Sequence, residues 1–418
     1  MTQHPWRQRM VWTLLVVLIL AATCELGFRG IRRALSDSRD FAVVYASART
    51  FDAGKNPYDN TALETSWLEA THNHPDDPNP LDLALYPPTT YLLLAPLALL
   101  DWNHVRWAWL LINLIGVAVL VVTLTRYWPE KLPPWRAACV AAFILGFGPI
   151  HTAITKGQLA VVVTAILALA ILAEARHAAV PAAILIGLAA SLKPQIAAPV
   201  IVLYMLQRQW RALTIVAGVI SLLSCIAAVR LSWAGVSLVD WVGALLGNGR
   251  LAAQPGGVYD PAPTNPLAFQ LLNLSPLLRR LMGNEAAIAL LLAAVGILVC
   301  FFLWKRGQAD STAFATACVL GLVLIAHRYY DAAVLVFVFV WALSSTSGKQ
   351  TAGWIAITGC VVMAFPLPAF LISSGHTRAP AAISQTFWDA VVIQQHSWVL
   401  LIVLAALTTV LARRDSSL

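Results

Sequence analysis

Charge is scarce in this chain. Only 11% of its 418 residues are Asp, Glu, Lys or Arg, 59% are hydrophobic, and mean hydropathy is +0.73. Soluble domains carry about a quarter charged residues, so a soluble protein is excluded and a membrane protein is implied. The six cysteines (Cys24, Cys139, Cys225, Cys300, Cys318 and Cys360) all fall inside apolar runs. No two have metal-ligand spacing, which argues against a cysteine metal site or a disulfide framework and leaves small buried hydrophobes. A glycine-rich phosphate cradle is missing, and with it the usual nucleotide-binding loops. No internal repeat is visible, which counts against a transporter built from inverted halves. The nearest approach to a metal cluster is His72-Asn73-His74-Pro75-Asp76-Asp77, which reads as a solvated loop. The net charge of +8 points to no nucleic acid, because there is no basic, aromatic-studded soluble domain to hold one.

What the chain does have is a series of long apolar runs. Met10–Phe28, Arg106–Thr125, Ala212–Val229, Ala286–Trp304 and Trp354–Ile372 supply the roughly 20 residues of a spanning helix. The first run has the basic start of a signal peptide, Arg7 and Arg9, but no A-x-A-like cleavage site. It runs on into Glu25 and Arg29, so it reads as a retained anchor. Connections rich in Lys and Arg belong in the cytoplasm: Arg7/Arg9, Arg126–Arg136, Arg176, Arg208/Arg211, Lys305/Arg306, Lys349 and Arg413/Arg414. The connections His151–Gln158, Lys193–Gln195, His327–Asp331 and Ser373–Gln395 then lie outside.

This pattern predicts one all-α polytopic membrane domain over residues 1–418, with about twelve spans and both termini cytoplasmic. Long outer loops fall at 29–82 and 231–284. The count requires Leu83–Leu100, interrupted by Pro87, Pro88 and Pro96, to return to the side it left as a broken, re-entrant segment. The short stretches Ala178–Leu192 and Ile196–Leu206 read as tilted half-helices around a cavity. Gly247-Asn248-Gly249-Arg250 and Gln254-Pro255-Gly256-Gly257 make a turn-rich segment in the second loop. Pro266–Met282 after it reads as an interfacial helix. Trp102, Trp107, Trp128 and Trp135 suit an aromatic belt where spans meet water.

Chemistry collects at the outer connections. Arg39-Asp40-Phe41-Ala42-Val43-Val44-Tyr45 leads into Gly54-Lys55-Asn56-Pro57-Tyr58-Asp59. Further along lie Tyr86-Pro87-Pro88, Lys156-Gly157-Gln158, Leu192-Lys193-Pro194-Gln195 and His327-Arg328-Tyr329-Tyr330-Asp331. Charged groups at span ends are costly to desolvate and are functional candidates when they point inward. Together these would make an anionic-headgroup site beside a carboxylate at the membrane surface.

The set resembles glycosyltransferase family 87, membrane mannosyl- and arabinofuranosyltransferases that use polyprenyl-phosphate sugars. The resemblance rests on D-F-x-V-x-Y at Asp40–Tyr45 and G-x-N-P-Y at Gly54–Tyr58. It continues through Y-P-P at Tyr86, G-Q at Gly157, L-K-P-Q at Leu192 and the His–Tyr–Asp cluster at His327, in order over most of the chain. It implies a GT-C-type helical bundle in the cell membrane, with its active site facing the periplasm or extracytoplasmic side and its catalytic Asp, matched by Asp40, in the first outer loop. The sugar leaves a lipid phosphate, so the enzyme must take a proton from the acceptor hydroxyl and stabilise charge on the departing phosphate. A carboxylate base does the first and cationic donors do the second.

Asp40 is thus the expected base, and Lys193, His327, Arg328 and Lys156 are the expected phosphate ligands. Gln158, Asp331, Tyr45, Tyr86 and Gln195 are expected in support or on the sugar. The expectation is metal-independent inverting transfer of a hexose, mannose first, to a lipid or glycan acceptor. The carrier-linked sugar is the donor and there is no cofactor. Partners are membrane lipids, and oligomeric state is left open.

Each residue also has a plainer reading. Asp40 could be a helix N-cap, with Asp37 or Asp52 as base instead. Lys193 could snorkel to the interface, and Gln158 could cap a broken helix. Tyr45 and Tyr86 could belong to the aromatic belt. The competing function is a transporter or flippase of lipid-linked sugars or other anions, which would place its charges near the bilayer midplane. A ligase moving a whole glycan from a lipid diphosphate is a third.

Overall fold

The structure is a computed structural model and describes residues 5–71, 83–262, 264–265, 267–307, 310–344, 350–375, 378–380 and 383–413. His72, His74, Asp76, Asp77, Lys349 and Arg414 lie outside the described residues. Among the described residues regular structure is helical, and strand-type pairing is confined to one antiparallel bridge between Leu271 and Arg328.

Among the described residues, seven helices are long and apolar enough to cross a membrane: Gln8–Ala34, Trp102–Arg126, Pro134–Lys156, Trp210–Trp233, Glu285–Arg306, Gln350–Ser373 and Gln395–Arg413. The first, fourth and fifth have largely unburied apolar flanks, as a lipid-facing helix requires. Five of the seven contain the long runs seen in the sequence. Five shorter apolar helices accompany them: Ala160–Ala175, Ala179–Leu192, Pro194–Leu206, Ser311–Leu324 and Tyr329–Ser344. At 1.5 Å per residue, the α-helices among these reach at most about 24 Å, short of the roughly 30 Å hydrocarbon layer. Twelve spans were expected; among the described residues seven helices meet the length requirement, and the shorter apolar helices lie between them.

The short helices position the site. Ala160–Ala175 begins beside Gln158, and Ala179–Leu192 packs along it and ends at Lys193, whose Nζ is 3.1 Å from Gln158 Oε1. Their other ends meet a separate polar set. There Tyr204 donates to Glu174, Ser311 donates to Glu130, and Arg136 donates to the Leu343 carbonyl at 2.6 Å. Small residues permit this packing, as in Gly187 against Val219 and Gly321 against Pro199.

The proline-rich stretch after residue 83 forms the helix Pro88–Ala98, whose 11 residues cover about 16 Å, half a crossing. It packs on the Arg39–Asp52 helix, with Arg49 donating to the Ala98 carbonyl (2.9 Å) and Tyr45 to the Leu100 carbonyl (2.6 Å).

Three expectations are corrected. Gly247 to Arg250 is not a turn but part of the helix Leu238–Ala253, because buried Asn248 donates to the Tyr58 and Ala84 carbonyls and pins that helix to the first loop. In the stretch after residue 266 only Ser275–Met282 is α-helical. The preceding backbone pairs with the His327 region instead, Leu272 N–H donating to the His327 carbonyl at 2.9 Å. Trp102 and Trp128 are core residues, 2% and 5% exposed, whereas Trp107 is 59% exposed. Trp102 is sandwiched against Phe41 and Trp67.

Candidate active site

Asp40 sits in the first turn of the Arg39–Asp52 helix, and Ser38 occupies the N-cap position. Its Oδ2 accepts a hydrogen bond from Gln158 Nε2 at 2.5 Å. Gln158 reaches it because the helix Gly148–Lys156 stops at Gly157, which has φ +70°. The left-handed residue turns the chain so that Gln158 N–H returns to the Ala153 carbonyl at 2.7 Å. A side chain at 157 would also collide with Phe41, since an added Cβ would lie 2.5 Å from the Phe41 Cβ. Gly157→Ala is therefore expected to cost at least about 1–2 kcal/mol from backbone conformation alone, and more from the clash. A lowered Tm of the purified protein, with a loss of activity, would show it.

Gln158 Oε1 accepts from the Tyr86 hydroxyl at 2.6 Å and from Lys193 Nζ at 3.1 Å. Lys193 breaks the chain between two helices with φ −149° and ψ 84°. The carbonyls left open at that break, Ser191 and Leu192, accept from the Thr89 and Thr90 hydroxyls. The ammonium is 2.6 Å from Asp331 Oδ1, and both side chains are almost wholly buried. It also lies 4.7 Å from the centre of the Tyr330 ring. Asp331 Oδ2 meets His327 Nδ1 at 3.1 Å and the Arg328 N–H at 3.3 Å. Burial and the neighbouring carboxylates push the Tyr86 hydroxyl well above its ordinary pKa, so it stays protonated.

Two cavities meet at Asp40, Arg328 and Tyr330, which line both. The smaller, about 90 Å³, is walled by Tyr86, Gln158, Gln195 and Tyr259. The larger, about 560 Å³, is ringed by Arg29, Arg33, Arg39, Lys156 and Arg328, with His151 and His396 deeper in its wall. Lys156 pairs with Asp37 at 2.7 Å. His151 shares its Nε2 with the Leu145 carbonyl at 2.7 Å, and His396 stacks on Tyr329. The cationic ring outnumbers the two carboxylates present, Asp37 and Asp40, so the larger cavity suits an anion.

Of the residues singled out in the sequence, the structure gathers Asp40, Gln158, Tyr86, Lys193, Asp331 and His327 into one connected chain. Gln195 and Arg328 line the smaller cavity, and Lys156 lines the larger. Two placements differ from expectation. Lys193 and His327 line neither cavity; they lie behind the wall, because the pairing with Asp331 draws them in. Tyr45 is also elsewhere, its hydroxyl committed to Leu100 and its ring packed on Trp102. Arg328 is engaged by the second loop, donating to Gln270 (3.4 Å) and to the Val258 carbonyl (3.2 Å). Sequence reading passed over Arg29, Arg33, Arg39, His151, His396 and Tyr259 as site residues. Signals for three of them were present: Arg39 opens the Asp40 segment, His151 opens the outer connection His151–Gln158, and Arg33 falls in an outer loop against the charge rule.

Residues 84–327 match the model of glycosyltransferase family 87. The match covers more than half of the chain. The chain belongs to glycosyltransferase family 87. It is a membrane glycosyltransferase, and its multi-pass helical structure agrees with that. Among curated proteins and among solved structures nothing matches the chain. The matched span of this family 87 enzyme includes Tyr86, Gln158, Lys193 and His327, whereas Asp40 precedes it and Arg328 and Asp331 follow it.

Proposed function

We propose that this family 87 enzyme transfers a hexose, mannose first, from a polyprenyl-phosphate carrier to a lipid or glycan acceptor at the extracytoplasmic face of the cell membrane. Asp40 is the general base. The observation that carries the reading is the position of Asp40 at the junction of a basic cavity and a smaller, amide- and tyrosine-lined one. A carboxylate there reaches an acceptor hydroxyl while the donor phosphate occupies the basic side. Arg29, Arg33, Arg39 and Lys156 hold the phosphate, and Arg328 stands where the two cavities join. Charge developing on the leaving phosphate is met by these donors. Displacement at the anomeric carbon breaks its bond to the phosphate oxygen and inverts its configuration, so a β-linked donor gives an α-linked product. Arg136, Arg176, Arg208 and Arg306 at the opposite ends of the helices support a cytoplasmic assignment for that face.

The test is incubation of purified enzyme with polyprenyl-phosphate mannose, radiolabelled in the sugar, and a lipid extract of the source cell. A labelled glycan formed from this donor supports the reading; label accepted only from an arabinofuranosyl carrier replaces the hexose. Arg29→Ala/Arg33→Ala is expected to raise the donor KM roughly 10-fold or more, with a smaller change in kcat, as charge-assisted bonds to phosphate are lost. Steady-state kinetics against donor concentration checks it. For the side of the membrane, a cysteine at position 39 in the cysteine-free protein should react with an impermeant maleimide added outside intact cells.

A further inference from the structure

We propose that Lys193 is a positioning residue: anchored by Asp331 and His327, it fixes the direction of the Gln158 amide and so holds Asp40 in the orientation of a base. The inference rests on Asp40 being that base. It replaces the expected contact between Lys193 and the donor phosphate.

A glutamine amide has two ends of nearly equal shape and opposite hydrogen-bonding sense. Only one orientation serves Asp40: Nε2 toward the carboxylate, as found at 2.5 Å. Reversed, the amide oxygen would face the carboxylate, and two acceptors would repel. Tyr86 alone does not decide the matter, because a hydroxyl donates or accepts. Lys193 does, because an ammonium only donates and so demands Oε1 at its 3.1 Å contact. That demand requires a charged lysine in a site 1% exposed. Asp331 supplies the counter-charge at 2.6 Å, and His327 and the Arg328 N–H hold the other oxygen of Asp331. Neither cavity is lined by Lys193, so a phosphate in either would meet other cations first.

The variant that tests this must not leave a stranded charge, so Lys193 and Asp331 are replaced together, as Lys193→Met/Asp331→Asn. It is compared with wild type and Asp40→Asn in the labelled-donor assay. We expect kcat to fall roughly 10- to 100-fold, the scale of a misplaced catalytic group, with donor KM within about two-fold of wild type. A raised KM at unchanged kcat would make Lys193 a phosphate ligand, and wild-type kinetics would make the pair merely stabilising; either overturns the proposal. If Asp40→Asn is as active as wild type, the general-base reading itself has failed. A second readout needs no substrate: carbodiimide labelling of Asp40 against pH, located by peptide mass. Losing the directed Gln158 donor should move the labelling midpoint upward by about one pH unit. The other charged and titratable groups that line the cavities with Asp40 (Arg29, Arg33, Arg39, Arg328, His151, His396, Tyr86, Tyr259, Tyr329, Tyr330 and the Asp37–Lys156 pair) are the same in both proteins, and the variant removes one charge of each sign. An unmoved midpoint also overturns the proposal.

Discussion

Replacing Asp40 by asparagine is expected to lower the transfer rate about 10²–10⁴-fold, the contribution of a positioned general base. The change keeps size and shape and removes the group that accepts the proton. The introduced amide can still meet Gln158 Nε2 through its oxygen, so the Gln158, Tyr86 and Lys193 contacts persist and the fold should hold. Donor binding should persist as well, since the arginines of the larger cavity are untouched. The result to look for is a kcat near background with donor KM or Kd within a few-fold of wild type. An Asp40→Asn enzyme with more than about a tenth of wild-type kcat would hand the role to another carboxylate. Asp37 is the nearest alternative in sequence, but its Oδ2 is already engaged by Lys156 at 2.7 Å.

The largest stability loss is expected from Asp331→Ala. It removes the counter-charge of an ammonium that is 2% exposed and leaves His327 without its partner. Breaking one side of a buried ion pair typically costs about 3–5 kcal/mol, because the remaining charge stays desolvated. In a membrane protein that should appear as a large drop in Tm in detergent and in the yield of folded protein. Removing both charges, as in Lys193→Met/Asp331→Asn, is expected to recover most of the stability. A single Asp331→Ala protein as stable as wild type would mean that Lys193 escapes to water or loses its proton at little cost. The double variant thus serves two purposes: it tests the ion pair by stability and the orientation of Gln158 by kcat.

The membrane class and the motif order were legible in the sequence because they depend on local quantities. Hydropathy over twenty residues needs no partner. Asp40, Gln158, Lys193 and His327 stood out because polar groups at the ends of apolar segments are costly to bury without a purpose. The number of spans was less legible. The stretches 178–192 and 196–206 already read as short half-helices, whereas the end of Ala160–Ala175 just before His177 was decided by the fold. His177 and Arg208 adopt positive φ, a choice that composition does not announce.

What the sequence by itself determined is therefore the environment and the inventory: a chain that must live in lipid, and a handful of polar residues too expensive there to be idle. What only the tertiary structure decided is who meets whom. Lys193 and Asp331 lie 138 positions apart, and nothing local says that they neutralise each other and so withdraw Lys193 from the cavity. Nor does anything local say that Arg29, Arg33 and Arg39 line one cavity with Asp40. Ion pairing in a medium that solvates charge poorly is a property of the assembled interior.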